Sequence, residues 1–224
     1  MALKDLFRPK FKHSDPAVRQ AAVNDLDDPA RLAEVARTDD VALVRLAAVT
    51  KLHDMALLAE LAEKDPDETV RETALDRVTD VAALRALVES SAPEPIRLGA
   101  LRRISDTSIL VAFAREGTEP LVRRTSAELI NDGDQLLELA RDASDEVVRR
   151  LAVSRLDSVE RLEPFTAGGE VESVRQAAIQ RMLQVSDDPD VRAKAVDELA
   201  DPHRLAAVAE GSDSDLVRLT ALER

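Results

Sequence analysis

The sequence predicts an all-α chain: an α-solenoid (superhelix) of about nine tandem helical hairpins of 26 residues, one lacking its second helix. Three observations predict it. An Arg preceded by Val or Ile recurs at a fixed interval, and small and apolar residues recur around it at helical spacing. Aromatics make up only 2% of the chain, with no Trp, no Tyr and four Phe (Phe7, Phe11, Phe113, Phe165). A core so poor in aromatics is filled by Ala, Val and Leu, which suits thin layers of helix packed on helix.

The recurring arginines are Arg19, Arg45, Arg71, Arg97, Arg123, Arg149 and Arg175, each 26 residues after the last. A step of 17 leads to Arg192, and a further 26 to Arg218. Three residues after each stands Ala22, Ala48, Ala74, Ala100, Ser126, Ala152, Ala178, Ala195 or Ala221. Seven after it comes an apolar residue, among them Leu26, Leu52, Val78, Ile104, Ile130, Leu156, Met182 and Leu199. Together with the Val before the Arg, these form an apolar stripe at helical spacing, a first helix A of roughly three turns. Its small central residue lets neighbouring helices approach closely.

A second helix, B, begins nine residues after the Arg. Asp28, Asp54, Asp80, Asp106, Asp132 and Asp201 stand there, with Ser158 in the sixth repeat. Asp and Ser are favoured at this place because a side-chain oxygen accepts an unpaired N–H of the first turn. Helix B carries apolar pairs such as Leu58/Leu61 and Leu136/Leu139, and ends at polar stretches such as Asp65-Pro66-Asp67. One hairpin of this size cannot bury its apolar face alone, so stacking must complete the core.

The pattern Asp-x-x-Val-Arg-x-x-Ala-Val, seen at Asp15–Val23, resembles the signature of short bacterial HEAT-like repeats. The resemblance spans Asp15 to Arg224. It implies a HEAT-like array and says little about function, since such arrays serve many purposes. The opening Phe7 to His13 followed by Asp15-Pro16 is similar to the start of bacterial proteins that carry such repeats ahead of another region. That implies the N-terminal part of a longer protein. The last helix A, starting at Ser214 and stopping at Arg224 one residue before its expected apolar anchor, fits truncation at the C-terminus. The expected organisation is a basic arm over 1–14 and a repeat array over 15–224 with an irregular seam at 158–190. In that seam Pro164 interrupts a helix B, Gly168-Gly169 follow, and a long helix A (Glu172–Val185) runs on without its helix B. The arm holds Lys4, Arg8, Lys10 and Lys12 around Phe7 and Phe11. It is expected to cover the open end of the first repeat, with a basic membrane or nucleic-acid tag as the alternative.

No catalytic constellation is legible. His13, His53 and His203 lie in different repeats, without Glu or His at ligand spacing, so neither a metal nor a cofactor is expected. HEAT-like di-iron deoxyhypusine hydroxylases rely on His-Glu dipeptides, of which this sequence has none. HEAT-like alkylpurine DNA glycosylases combine a basic concave surface with aromatics, and the chain departs from both. Cyanobacterial bilin lyases also resemble this repeat, and no residue firmly separates the chain from them. A formal charge of −13 opposes a protein whose main work is gripping a phosphate backbone. There is no Cys, no signal-peptide pattern and no apolar run of membrane-spanning length. A cytoplasmic protein that engages neither membrane nor cofactor is the expectation.

Two basic columns carry the surface reading. The recurring Arg (Arg19, Arg45, Arg71, Arg97, Arg123, Arg149, Arg175, Arg192, Arg218) falls within the apolar arc of its helix. It is read as a ladder bonded at the inter-helix turn to Asp28 or to a neighbour's Asp54; the alternative is a stripe that binds phosphate or carboxylate ligands. Six residues further on stand Lys51, Arg77, Arg103, Arg155 and Arg181, interrupted by Leu129. Joined by Arg102, Arg124 and Arg150, they are expected to form an exposed row able to bind a partner, or else a solvated face. Helix B carries acids instead, including Glu34, Glu60, Glu63, Glu89, Glu138 and Glu160. The expected function is a non-enzymatic scaffold or adaptor that binds another protein, with a nucleic-acid module as the alternative and a HEAT-like lyase behind both.

Overall fold

The computed structural model describes residues 8–168, 170–199 and 201–224. Lys4, Phe7 and Gly169 lie outside the described residues. Among the described residues the chain forms sixteen α-helices and no strand, and it divides into two compact units, Met1–Ser105 and Asp106–Arg224.

The first unit opens with a 3-10 turn, Lys10–Lys12, that packs on α1. Its Phe11 ring lies beneath the Lys12 and Arg31 cations, each 5.6 Å from the ring centre. There follow α1 (Pro16–Asn24), α2 (Pro29–Thr38), α3 (Ala42–Val49), α4 (Met55–Lys64), α5 (Glu68–Arg77), α6 (Val81–Glu89) and α7 (Glu94–Arg103). The second unit contains α8 (Thr107–Glu116), α9 (Pro120–Leu129), α10 (Gly133–Asp142), α11 (Glu146–Val153), α12 (Val159–Leu162), α13 (Glu172–Val185), α14 (Pro189–Asp197), α15 (Pro202–Gly211) and α16 (Asp215–Glu223). The recurring Arg sits on α1, α3, α5 and α7 of the first unit and on α9, α11, α13, α14 and α16 of the second.

The even-numbered helices up to α10 begin where a short acid can cap them. Asp28 accepts the amides of Ala30 and Arg31, Asp54 those of Ala56 and Leu57, and Asp132 those of Asp134 and Gln135. Asp80, Asp106 and Asp201 each accept one amide of the following first turn. Ser158 occupies the same place before α12 but makes no side-chain cap. That helix lasts four residues before a 3-10 turn at Glu163–Phe165, because Pro164 offers no N–H to continue it. Leu162 and Phe165 remain buried in spite of the break. The next helix, α13, is 14 residues long and leads directly into α14.

The helices pair differently from the hairpin the sequence suggests. Each B helix packs most closely on the A helix that follows it: α2 on α3, α4 on α5 and α6 on α7, then α8 on α9 and α10 on α11. The reason lies in the two connections. After helix A the chain leaves helical geometry before the apolar residue seven past the Arg. Leu52, Val78 and Ile104 therefore anchor a turn, buried, rather than extending the stripe. After helix B the turn is drawn tight, as where the Asp39 carboxylate accepts the Val41 amide at 3.0 Å. The small column, Ala48, Ala74, Ala100, Ser126, Ala152 and Ala178, is fully buried. Ser126 fits there because its hydroxyl donates to the Val122 carbonyl at 2.7 Å.

Ala74 on α5 has no room for a longer side chain, so Ala74→Leu should destabilise the chain by about 1–3 kcal/mol in urea unfolding. Ala82→Leu on the exposed side of α6 should change it by less than about 0.5 kcal/mol.

Candidate functional site

The recurring Arg works as a latch between successive turns. Arg45 Nε and Nη2 donate to the two carboxylate oxygens of Asp65, each at 2.8 Å, while Nη1 donates to the Asp39 carbonyl at 2.9 Å. Arg19 grips Asp39 the same way at 2.7 and 2.9 Å, reaches Asp40 at 2.5 Å, and donates Nη1 to the His13 carbonyl at 2.9 Å. Arg123 donates to Asp145 at 2.8 Å and to the Gly117 carbonyl at 2.9 Å. Asp39, Asp65 and Gly117 each terminate a B helix. The guanidinium therefore satisfies a carbonyl that a helix end leaves unpaired, while its other edge holds a carboxylate of the next turn.

The acids are not Asp28 and Asp54, as the sequence reading suggested. Those two are engaged as caps. They also lie at the far end of helix A from the Arg, more than about 10 Å along its axis. The Arg is in the first turn of A, beside the turn that enters it.

The remaining latches vary with the local sequence. Arg71 donates Nη1 to the Asp65 and Pro66 carbonyls at 2.7 and 3.1 Å. Twenty residues on, where Arg19 and Arg45 find Asp39 and Asp65, the sequence has Ser91 in place of an acid, and Ser91 donates to Glu63. Arg71 Nε is left buried with no hydrogen-bond partner. Arg97 is half-buried. Arg149 donates to the Ala140 carbonyl at 3.0 Å and to Glu170 at 2.5 Å. Arg175 pairs with Glu172 and Glu198, Arg192 reaches the Ser212 hydroxyl at 3.4 Å, and Arg218 holds the Ser212 carbonyl and Asp215.

The second basic column is folded back rather than extended into solvent. Lys51 Nζ donates to the Asn24 carbonyl at 2.7 Å and Arg77 to that of Leu52 at 2.8 Å. Arg103 donates to the carbonyls of Asp76 and Val78 at 2.9 and 3.3 Å. In the second unit Arg155 donates to those of Ala127 and Glu128 at 2.8 and 2.9 Å, and Arg181 to that of Leu156 at 2.8 Å. Every acceptor lies at or just past the end of the preceding A helix. These side chains cap their neighbour's C-terminus, where a cation also meets the negative end of the helix dipole. The expected exposed row is thus a set of staples between adjacent A helices.

Arg103 of this column remains exposed even so, as do Arg102, Arg124 and Arg150. In the second unit Arg124 and Arg150, with Arg204, Gln176, Gln180 and Val147, line an open hollow of about 410 Å³ on the face of α9, α11 and α13. The sequence singles out Arg124 and Arg150 but not the hollow they line, because Arg204 reaches it from another repeat. Among the described residues no group of three or more His, Asp or Glu is placed to hold a metal ion. Among the same residues no helix is long and apolar enough to cross a membrane.

Two latch carboxyls titrate below their ordinary range. Burial pushes the Asp39 carboxyl up, but hydrogen bonds from Arg19 and the Val41 amide, with the charge of Arg19, outweigh it and hold the carboxyl low. At Asp145 burial is likewise outweighed by Arg123 and by the amides of Val147 and Val148. The Arg45 guanidinium is raised above its ordinary value, chiefly by its hydrogen bond to Asp65 and against the pull of burial.

Side-chain exposure is 8% for Arg45 and 2% for Asp65, so Arg45→Ala strands a buried carboxylate and should cost about 3–5 kcal/mol. Arg71→Ala strands no acid and should cost less, about 1–3 kcal/mol. Ser91→Asp should supply the missing carboxylate and raise the melting temperature; calorimetry of the three variants checks the order.

The acid response follows from the depressed carboxyls. Asp39 and Asp145 bind fewer protons folded than unfolded. Their stabilisation is complete above the unfolded carboxyl pKa of about 4 and is lost as pH falls through the lower folded values. An Asp39→Asn, Asp145→Asn double variant should be less stable at pH 7 and lose stability less steeply below pH 4 than the parent, measured by urea unfolding across pH.

No family model matches the chain, and no curated protein sequence matches it.

Proposed function

We propose that this chain is a non-enzymatic scaffold or adaptor, a HEAT-like α-solenoid of about nine repeats of 26 residues, one without its second helix. It binds another protein over the exposed faces of its A helices. One observation carries the reading: the latch and staple positions repeat in register, whereas the exposed and half-buried positions between them do not. One residue after the latch Arg the chain reads Gln20, Leu46, Glu72, Leu98, Arg124, Arg150 and Gln176. Two residues before it stand exposed apolar side chains in some repeats, Leu43 (59% exposed), Leu121 and Val147 (43%), and Thr69, Pro95 and Ser173 in others. A regular frame that presents irregular side chains is a surface free to be shaped by a partner, since packing does not dictate those residues.

A nucleic-acid module is the competing reading, and the hollow containing Arg124 and Arg150 is what favours it. The net charge of −13 and the absence of Trp and Tyr weigh against it.

The test is chemical cross-linking and affinity capture with the full chain in lysate of its native cell. Leu43→Asp and Val147→Asp should each keep the parent's melting temperature, and at least one should lose the captured protein. The triple reversal Arg77→Glu, Arg103→Glu, Arg155→Glu should lower the melting temperature, because it removes three staples. Capture unchanged in both Asp variants counts against the A faces. Salt-sensitive binding to generic RNA with no protein captured would replace the scaffold by the nucleic-acid module.

A further inference from the structure

Arg150, on α11 of the second unit, stands apart from the other cations of its hollow. Most arginines of this chain are tied to carbonyls or acids. Arg150 is exposed, and among the described residues its guanidinium makes no hydrogen bond or ion pair. Its neighbours around the hollow are held. Arg124 donates to Glu128 at 2.8 Å, Arg204 lies 3.5 Å from Asp201, and Gln176 donates to the Glu198 carbonyl at 3.1 Å. These contacts leave one unneutralised guanidinium among the lining side chains, which also include Gln180 and the exposed Val147.

We propose that this hollow binds an extended acidic segment of a partner protein, with Arg150 pairing a carboxylate bidentately. Gln180 engages the segment's backbone and Val147 packs on a small aliphatic residue next to the acid. The proposal rests on the reading of the chain as a protein-binding scaffold and names the chemistry the second unit selects. Charge complementarity carries it: a free guanidinium in an open hollow of about 410 Å³ on a chain of net charge −13 is a local site for one anion. A peptide fits better than a phosphate chain. Glu128 and Asp201, paired with the lining Arg124 and Arg204, and Glu146, bonded to the lining Ser173, repel continuous negative charge, whereas a peptide offers single carboxylates between neutral residues. Adjacent packed helices are spaced by about 8–10 Å. In a polyproline-type segment every third side chain lies on one edge, about 9 Å apart. A segment with an acid at every third position can thus present one carboxylate to Arg150 and the next to Arg124, whose exposed pair with Glu128 is weak enough to exchange.

The probe is an acetylated, amidated and fluorescently labelled peptide of repeated Pro-Glu-Val, followed by anisotropy with the full chain at low and moderate salt. Repeated Pro-Gln-Val and a labelled oligouridylate of equal charge serve as comparisons. The chain should bind the Glu peptide at least about tenfold more tightly than the Gln peptide, and Arg150→Gln should abolish that preference with no change in melting temperature. Arg102→Gln, an exposed arginine of the first unit, should leave it intact. Equal binding of the Glu and Gln peptides, an Arg150→Gln chain that still prefers Glu, or tighter binding of oligouridylate would each overturn the proposal. A native partner retained by Arg150→Gln but lost by Val147→Asp would overturn the acidic site while leaving the scaffold standing. Recovery of no partner by any variant or by the parent, with the peptide preference intact, would overturn the scaffold instead.

Discussion

The structure depends on how it satisfies helix ends. Most of its helices are only eight to ten residues long, and every α-helix leaves four amides and four carbonyls without an internal partner. In helices this short the unpaired groups rival the paired ones, and each one buried without a partner costs about 1–3 kcal/mol. Three recurring side chains meet the demand. An Asp accepts the first amides of helix B, the latch Arg takes a carbonyl at the end of the helix before it, and a staple Arg or Lys takes the last carbonyls of the neighbouring A helix. Because the ends recur every 26 residues, so do the charges.

That demand changes the meaning of the composition. A chain rich in arginine invites a search for anionic ligands, yet most of these guanidiniums are spent on backbone carbonyls or on the chain's own acids. The acids are equally engaged. Asp39, Asp65 and Asp145 complete latches, and Glu60 and Glu138 pair with Arg37 and Arg115 of the preceding B helices at 2.9 and 2.7 Å. What is left for a partner is small and local: a few exposed apolar side chains and the cations that no helix end claims.

The arrangement tolerates interruption. At the sixth repeat Pro164 cuts α12 short, so the B helix that would present its end to the latch is reduced to one turn. Arg175, on the helix after the break, pairs with Glu172 and Glu198, and Arg149, on the helix before it, reaches Glu170 beyond it. Leu162 and Phe165 stay in the core through the 3-10 turn. A long, flexible guanidinium with several donors can follow a displaced acceptor, which a short cap such as Ser158 cannot; that residue occupies its cap position without making the bond.

The sequence by itself determined the helices. Their period, their Asp starts and the break at Pro164 are local properties, set by side chains acting on their own or the adjacent turn. The small column, fully buried from Ala48 to Ala178, was legible for the same reason, since only a small residue at that spacing lets two helices touch. Tertiary structure decided the pairing. That B folds onto the following A, that the latch Arg takes Asp39 or Asp65 rather than Asp28 or Asp54, and that Arg77, Arg103 and Arg155 turn back onto a neighbour are all matters of reach across 20 to 28 residues of chain. A helical wheel shows which side of its own helix a side chain leaves. It does not show which carbonyl of another helix lies at the end of a long guanidinium, because that distance exists only once the helices have packed.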